Sequence, residues 1–272
     1  MFKSRSCKSN GFFYFWCNHY HTNHVKLNKI TPMKAKHLNA ILFIAVISLS
    51  VLSSCRFGCI KGSGHQVSET HKMGDFTQID ISGGFKVNLK QDSSLAVSIT
   101  ADDNLMKYIH TTIEGDRLRI YSRKNFCGSG EILINIGVKN LDRIKTSGAV
   151  DVTSDGKLNT KDISIDLNGA SKVNMDLNAA NVSTEGSGAS EIHLKGQASS
   201  HKVHLTGSGK IYALDFVVGS YDIETTGASE CEINVLHDLN VNTTGASEIK
   251  YRGNPSSVNT HKTGASSVTK ID

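Results

Sequence analysis

Apolar and polar residues alternate with period two through the second half of the chain, and the alternation restarts at a fixed distance from a glycine. Seven such glycines recur at a nearly constant spacing: Gly148, Gly169, Gly188, Gly207, Gly227, Gly245 and Gly264. The fourth residue after each glycine is apolar: Val152, Val173, Ile192, Ile211, Cys231, Ile249 and Val268. Alternation of this kind is typical of a β-strand with one buried face.

A second alternating run precedes the glycine, as in Ile163, Ile165 and Leu167, so each repeat holds at least two short strands. A fixed period of roughly 20 residues is typical of solenoids. We therefore predict an all-β protein, a parallel β-solenoid (β-helix) with coils of about 19–20 residues. The glycines are expected at tight corners that need a positive φ, and the apolar column is expected in the core.

Charged side chains occupy the position three residues after the glycine, and their sign alternates from coil to coil: Asp151, Lys172, Glu191, Lys210 and Glu230. Neighbouring parallel strands would bring these side chains within pairing distance. Exposed pairs contribute only ~0–1 kcal/mol each, so we expect the column to help fix the coil register more than the stability. A simple solvated face is the default interpretation of such a column.

The corner pattern appears once more at Ser82-Gly83-Gly84, well before the next corner glycine, Gly148. The interval contains further short strand patterns, and exposed edge strands at the end of a solenoid need cover. We therefore assign one solenoid domain to residues 73–272. Within it, residues 92–140 are an excursion of extra strands that forms an N-terminal β-rich cap, and residues 141–272 are the seven glycine-cornered coils.

The N-terminal region resembles a bacterial lipoprotein leader. Met33 is followed by lysines, an apolar run over residues 40–52 and Leu52-Ser53-Ser54-Cys55. We interpret residues 33–54 as a signal peptide and Cys55 as the lipidation site, followed by a flexible tether over residues 55–72. Residues 1–32 are interpreted as preceding the true start at Met33, with a genuine N-terminal extension as the alternative. Cys17 and the nearby histidines could suggest a metal, but no partner motif accompanies them.

Charge and cysteine usage follow from this division. Of the 30 Lys and Arg residues, seven lie in residues 1–54, which lack Asp and Glu, so residues 55–272 carry 23 basic and 25 acidic side chains. No basic surface or motif indicates nucleic-acid binding.

Cys231 falls in the buried column. Cys59 and Cys127 could pair in an oxidising compartment, but two cysteines alone leave the bridge open.

Several motifs together resemble the bacterial family called putative auto-transporter adhesin, head GIN domain. They are Phe76-Thr77-Gln78-Ile79-Asp80-Ile81-Ser82-Gly83-Gly84, Asp102-Asp103-Asn104-Leu105, Leu118-Arg119-Ile120-Tyr121 and the ending Gly245-Ala246-Ser247-Glu248-Ile249-Lys250-Tyr251-Arg252-Gly253-Asn254-Pro255. The resemblance covers roughly residues 76–272. It implies a β-solenoid fold and an adhesin-like role, and it brings no set of binding residues to carry over.

The sequence contains few candidate catalytic or metal-binding residues. Enzymes built on parallel β-helices cluster carboxylates on one face, whereas Asp151, Glu191, Glu230 and Glu248 share their column with lysines. His193, His201 and His204 are close in sequence, which leaves a metal site open beside the default of scattered histidines. No Ser/His/Asp set, phosphate loop or dinucleotide motif is found. We therefore expect no catalytic residues, no metal and no cofactor.

The leading hypothesis is a non-catalytic, lipid-anchored cell-envelope protein that serves as an adhesin or interaction scaffold. Its expected partners are the membrane, through the lipid on Cys55, and a protein or glycan whose identity the sequence leaves unknown. The expected location is the outer membrane, facing either the periplasm or the surface. The alternatives are a carbohydrate-binding or polysaccharide-degrading β-helix protein, and an accessory subunit of an envelope signalling system.

Overall fold

The structure, a computed structural model, describes residues 58–272. The upstream stretch 1–32, the leader 33–54 and Cys55 lie outside the described residues. The described chain is almost entirely β, and its strands stack into a parallel solenoid, which confirms the fold class predicted from the glycine period. One helical turn, α1 (Asp103–Met106), is present in this part of the chain.

The first nine strands build the N-terminal part of the solenoid. Their bounds are β1 (Ile60–Lys61), β2 (Gln66–Lys72), β3 (Gln78–Gly83), β4 (Lys86–Gln91), β5 (Ala96–Asp102), β6 (Ile109–Glu114), β7 (Arg117–Ser122), β8 (Phe126–Cys127) and β9 (Leu133–Val138).

Ten further strands complete the coils. Their bounds are β10 (Arg143–Gly148), β11 (Asp151–Asn159), β12 (Asp162–Gly169), β13 (Lys172–Gly188), β14 (Glu191–Gly207), β15 (Lys210–Gly227), β16 (Glu230–Gly245), β17 (Glu248–Arg252), β18 (Ser257–Gly264) and β19 (Ser267–Lys270).

Two stacked walls meet at the glycine corner. Wall A, which precedes the corner, runs in the order β7, β3, β10, β12, the second halves of β13 to β16, and β18. Wall B, which follows the corner, runs β9, β4, β11, the first halves of β13 to β16, β17 and β19. Each of the long strands β13 to β16 therefore belongs to both walls. All these pairings are parallel, as stacked coils require.

The order of coils in space differs from their order in sequence at the N-terminal end. The coil of β3 and β4 lies between the coil of β7 and β9 on one side and the coil of β10 and β11 on the other. The chain thus forms the coil of β3 and β4 first and then places the coil of β7 and β9 on its outer side. It next crosses to the other side of the first coil, where β10 and β11 continue the stack. This crossing explains why Gly83 and Gly148, which are far apart in sequence, are register partners in adjacent coils.

The segment 92–140 together with β2 supplies the antiparallel strands at this end. β5 pairs antiparallel with β9, and β2 pairs antiparallel with β5, so β2 is the outermost strand of wall B. β6 pairs antiparallel with β7 at the corresponding end of wall A. All seven residues of β2 are exposed. Polar, exposed edge strands discourage pairing with a second chain.

Residues 58–72, which we expected within a flexible tether, carry β1 and β2. β1 pairs with β8, and β2 adds to β5. The core lies between the walls, where the apolar members of each strand are stacked coil upon coil. At the last coil the inward positions become polar or exposed: Thr260 and Lys262 are the register partners of the buried Val241 and Thr243, and both β18 and β19 are largely exposed.

No helix within residues 58–272 is long and apolar enough to cross a membrane.

Two neighbouring residues provide a test of the inward and outward columns. Ile192 is fully buried, whereas the side chain of Glu191 is 39% exposed. We expect Ile192→Asp to cost several kcal/mol because it places an unpaired charge in the core, and Glu191→Gln to cost about 1 kcal/mol or less. Thermal melts of the two variants measure this directly. Similar losses of stability in both variants would show that the column assignment is wrong.

Candidate binding surfaces

The seven corner glycines form one continuous column along an edge of the solenoid. Each is the register partner of the next. All seven have a positive φ, from +96° at Gly169 to +123° at Gly227. The Ala or Ser after each glycine is exposed, as are most of the hydroxyl and amide side chains before it. Small residues therefore line this edge of the solenoid, and polar side chains lie beside them.

The apolar column lies inside the solenoid. Its members are fully buried, except for Val268 in the last coil, which is partly buried: Val152, Val173, Ile192, Ile211, Cys231, Ile249 and Val268. Burial raises the pKa of the Cys231 thiol to about 12, so this cysteine is neutral at pH 7 and packs as a small apolar residue. The column is structural, and its six fully buried members are not available to a ligand.

The alternating charges form a ladder on the outer face of wall B, and we call it the charge ladder: Asp151, Lys172, Glu191, Lys210, Glu230 and Glu248. Consecutive members are register partners, and Lys86 extends the ladder by one coil. Lys172 Nζ lies 2.8 Å from Glu191 Oε1, and Lys210 Nζ lies 3.6 Å from Glu230 Oε2. The ladder positions are in register over seven coils, and two of the six steps between them are closed by an ion pair.

Two like charges meet where the alternation ends, because Glu230 and Glu248 are direct neighbours. Lys250, two residues further along the same face, compensates them: its Nζ lies 3.9 Å from Glu230, 3.5 Å from Glu248 and 3.5 Å from Glu232. One lysine thus contacts three carboxylates. This arrangement lowers the repulsion that two adjacent glutamates would otherwise have across parallel strands.

Glu191 is the most strongly perturbed carboxylate of the ladder. The ammonium of Lys172 and the imidazole of His193, whose Nε2 lies 2.6 Å from Glu191 Oε1, lower the pKa of Glu191 to about 2. The ring of His193 in turn lies 4.9 Å from the ring of Tyr212 in the next coil. A carboxylate held by two donors stays ionised at neutral pH, so it suits ionic recognition better than proton transfer.

The three histidines that suggested a metal site lie on different faces of the two walls. His201 is buried, with Nε2 2.8 Å from the Thr184 hydroxyl, and burial lowers its pKa to about 3. His204 is exposed on wall A and lies 3.3 Å from Glu224, while His193 is on wall B. Among residues 58–272, no three His, Cys, Asp or Glu side chains converge as a metal site would require.

A groove of about 840 Å³ lies beside the corner column at the N-terminal end. Its floor is the corner of two coils, Ser82–Phe85 and Ser147–Ala149, and its wall is a loop over residues 122–132. At each glycine corner two residues separate the strands, whereas ten residues, 123–132, separate β7 from β9. The loop overhangs the edge of the neighbouring coils, and a volume of this size fits a small ligand or a few units of a polymer.

The groove combines apolar and polar surfaces. Phe126 and Ile132 contribute apolar area, and Lys124 and Asp151 contribute opposite charges. Lys86 Nζ pairs with Glu131 Oε1 at 3.0 Å across the rim. A disulfide between Cys59 and Cys127 holds the loop.

The family model described as "Putative auto-transporter adhesin, head GIN domain" matches residues 75–255, from just before β3 to just after β17. The chain belongs to this family.

Solved structures agree with the head GIN domain fold. A "putative adhesin" from Bacteroides fragilis has a TM-score of 0.73 and 20% identity, and the match covers 78% of this chain and 100% of that one. A "putative lipid binding protein" from Parabacteroides distasonis has a TM-score of 0.63, 20% identity and coverage of 79% and 100%. A "putative adhesin" from Parabacteroides merdae has a TM-score of 0.60, 20% identity and coverage of 78% and 99%. At these identities the likeness shows the fold.

No protein with a curated functional description matches the sequence significantly. The adhesin-like family indicates a cell-envelope or surface protein.

Sequence reasoning missed the groove of this head GIN domain. The signal was the absence of a Gly-Ala-Ser corner between β7 and β9, together with Cys127 inside the segment that replaces it. A missing corner in a regular array marks an insertion, and insertions of repeat proteins collect on one face. That argument predicts a loop here, although it does not predict its position over the preceding coils.

Proposed function

We propose that this protein is a non-catalytic adhesin, held in the outer membrane by a lipid on Cys55, which binds its partner through an extended surface on the solenoid. The observation that carries the proposal is the charge ladder on wall B, since its register places a series of charges along one face. Rows of charge recognise a partner through many weak contacts and steer its approach. The groove beside the corner column adds a concave site to this surface.

The perturbed groups support a binding role. Glu191 is fixed as a carboxylate by Lys172 and His193, and His201 and Cys231 are neutral and buried. General acid–base catalysis needs a group that titrates near the working pH and reaches substrate, and none of these three perturbed groups meets both conditions. A glycan-binding or glycan-degrading protein is the second candidate, because the groove combines hydroxyl, amide and charged side chains with the ring of Phe126.

The anchor is tested by Cys55→Ala. The motif Leu52-Ser53-Ser54-Cys55 is expected to direct cleavage before the cysteine and lipidation of its thiol. The variant should move from the membrane fraction to the soluble fraction of lysed cells, while Cys231→Ala, which alters a buried core cysteine, should stay with the membrane. A Cys55→Ala protein that is still acylated and sediments with membranes would contradict the proposed anchor.

The extended surface is tested with beads that carry the purified protein, on arrays of immobilised glycans and matrix proteins. The triple variant Lys172→Gln, Glu191→Gln, Lys210→Gln should lose at least tenfold in bound beads, while Glu191→Gln alone should lose less than threefold. The matched control is Lys145→Gln, Glu185→Gln, Lys202→Gln, which makes the same charge change on wall A and should bind normally. Cleavage of a glycan that one substitution abolishes would overturn the non-catalytic assignment.

A further inference from the structure

We call the first eight described residues, 58–65, the entry segment. Although they are mostly exposed, a disulfide and several hydrogen bonds attach them to the solenoid. We propose that the entry segment is a tension-bearing joint, which transmits pulling force from the anchor to the stacked coils. The inference rests on the proposed function, because an adhesin on a membrane is pulled between its anchor and its bound partner. Its structural basis lies entirely within the described residues.

The covalent connection comes first. Cys55 precedes Cys59 by four residues, and Cys59 is bonded to Cys127, which is 68 residues further along the chain. Cys127 lies in the loop between β7 and β9, and these two strands stack directly on β3 and β4 in the two walls. Force that arrives at Cys59 therefore passes across the disulfide into a complete coil, and it bypasses residues 60–126.

Backbone pairing reinforces this connection. Ile60 and Lys61 of β1 pair with Phe126 and Cys127 of β8. The N–H of Ile60 donates to the carbonyl of Asn125 at 2.8 Å, and the N–H of Gly62 donates to the carbonyl of Cys127 at 3.3 Å. The entry segment and the loop are thus joined by hydrogen bonds as well as by the disulfide.

A second set of bonds comes from Asp102, Asp103 and Asn104, at the start of α1. The side chain of Asn104 donates to the Lys61 carbonyl at 2.8 Å and accepts from the Ser63 N–H at 3.0 Å. The Ser63 hydroxyl donates to Asp103, and the Gly64 N–H donates to Asp102 at 3.2 Å. A side chain at position 62 would overlap the Asp102 carboxylate, so the close fit requires glycine.

The hydrogen bonds of the entry segment are almost all exposed, whereas the disulfide also stabilises the fold by itself, because it restricts the unfolded chain over a sequence separation of 68 residues. Ile60 is the one apolar side chain of the entry segment that packs against the core, and it is only partly buried. Exposed hydrogen bonds add little to the free energy of folding. They must nevertheless break before a pulling force can move the entry segment away from the loop and from α1. We infer that resistance to pulling is what the arrangement provides.

The strand behind the entry segment shows what the joint protects. β2 follows directly, all seven of its residues are exposed, and its partner is the single strand β5. A strand with few buried contacts opens locally at low free energy. If force reached β2 from its N-terminal end, the hydrogen bonds to β5 would break one after another. The disulfide keeps that force away from β2.

Single-molecule pulling tests the proposal on the purified full chain, with handles at its two termini. The oxidised protein should show no step that releases residues 59–72, whereas any early step from the exposed C-terminal strands β18 and β19 should be the same with and without the disulfide. After reduction, and equally in Cys59→Ser, an early step at lower force should release residues 59–72, which is about 50 Å of extended chain. In the reduced protein Asn104→Ala should lower the force of this step further. The matched control Asn259→Ala, an exposed asparagine of the last coil, should leave it unchanged.

Two results would overturn the proposal. One is a set of early steps with the same forces and lengths with and without the disulfide. The other is a step added by reduction that is much longer than the extended length of residues 59–72, which would mean that the coils open before the joint. Reduction of the folded wild-type protein provides the answer even if Cys59→Ser folds poorly. The trace does not depend on lipidation or on any ligand, so a failure of the anchor or of adhesion is distinguishable from a failure of the joint.

Discussion

The close stacking of glycine backbones at one corner is the constraint on which the rest of the solenoid depends. A Cβ atom on Gly188 would lie 2.6 Å from the carbonyl oxygen of Gly169, closer than real Cβ contacts allow. The same oxygen accepts a 2.9 Å hydrogen bond from the N–H of Ala189, so the contact is part of the coil-to-coil bonding. Backbone approach at this distance, with a positive φ, leaves glycine as the residue that fits without strain.

Because the corners are fixed, differences in coil length appear elsewhere. The spacing between corner glycines is longest from Gly148 to Gly169 and shortest from Gly227 to Gly245. The strand register shifts within wall B and at its junction with wall A, for example between Ala213 and Val217 of β15 against β16. Each coil keeps its register at the glycine and absorbs an extra residue as a bulge. The charge ladder lies three residues after the corner, where the register is still regular, and this position keeps its members aligned.

The sequence was most informative where a feature repeats. Seven glycines and seven apolar residues at a fixed offset predict the coils and the fold class, because each repeat applies the same local physics. The order of the first three coils, the groove and the entry segment each occur once. They depend on contacts between residues far apart in sequence, such as the 68 residues between Cys59 and Cys127. The motif Asp102-Asp103-Asn104 was visible as a family resemblance, but its hydrogen bonds to the entry segment follow only from the fold.

The most direct measurement compares three glycine-to-alanine variants by chemical denaturation. Gly188 has φ +97° and the backbone clash, Gly156 has φ +85° with open space around it, and Gly84 has neither constraint. Gly84→Ala should change the free energy of unfolding by less than about 1 kcal/mol, and Gly156→Ala should lose about 1–2 kcal/mol from backbone strain. Gly188→Ala should lose clearly more than Gly156→Ala, because the stacked coils must also move apart. If Gly188→Ala is no less stable than Gly156→Ala, corner stacking does not control the solenoid.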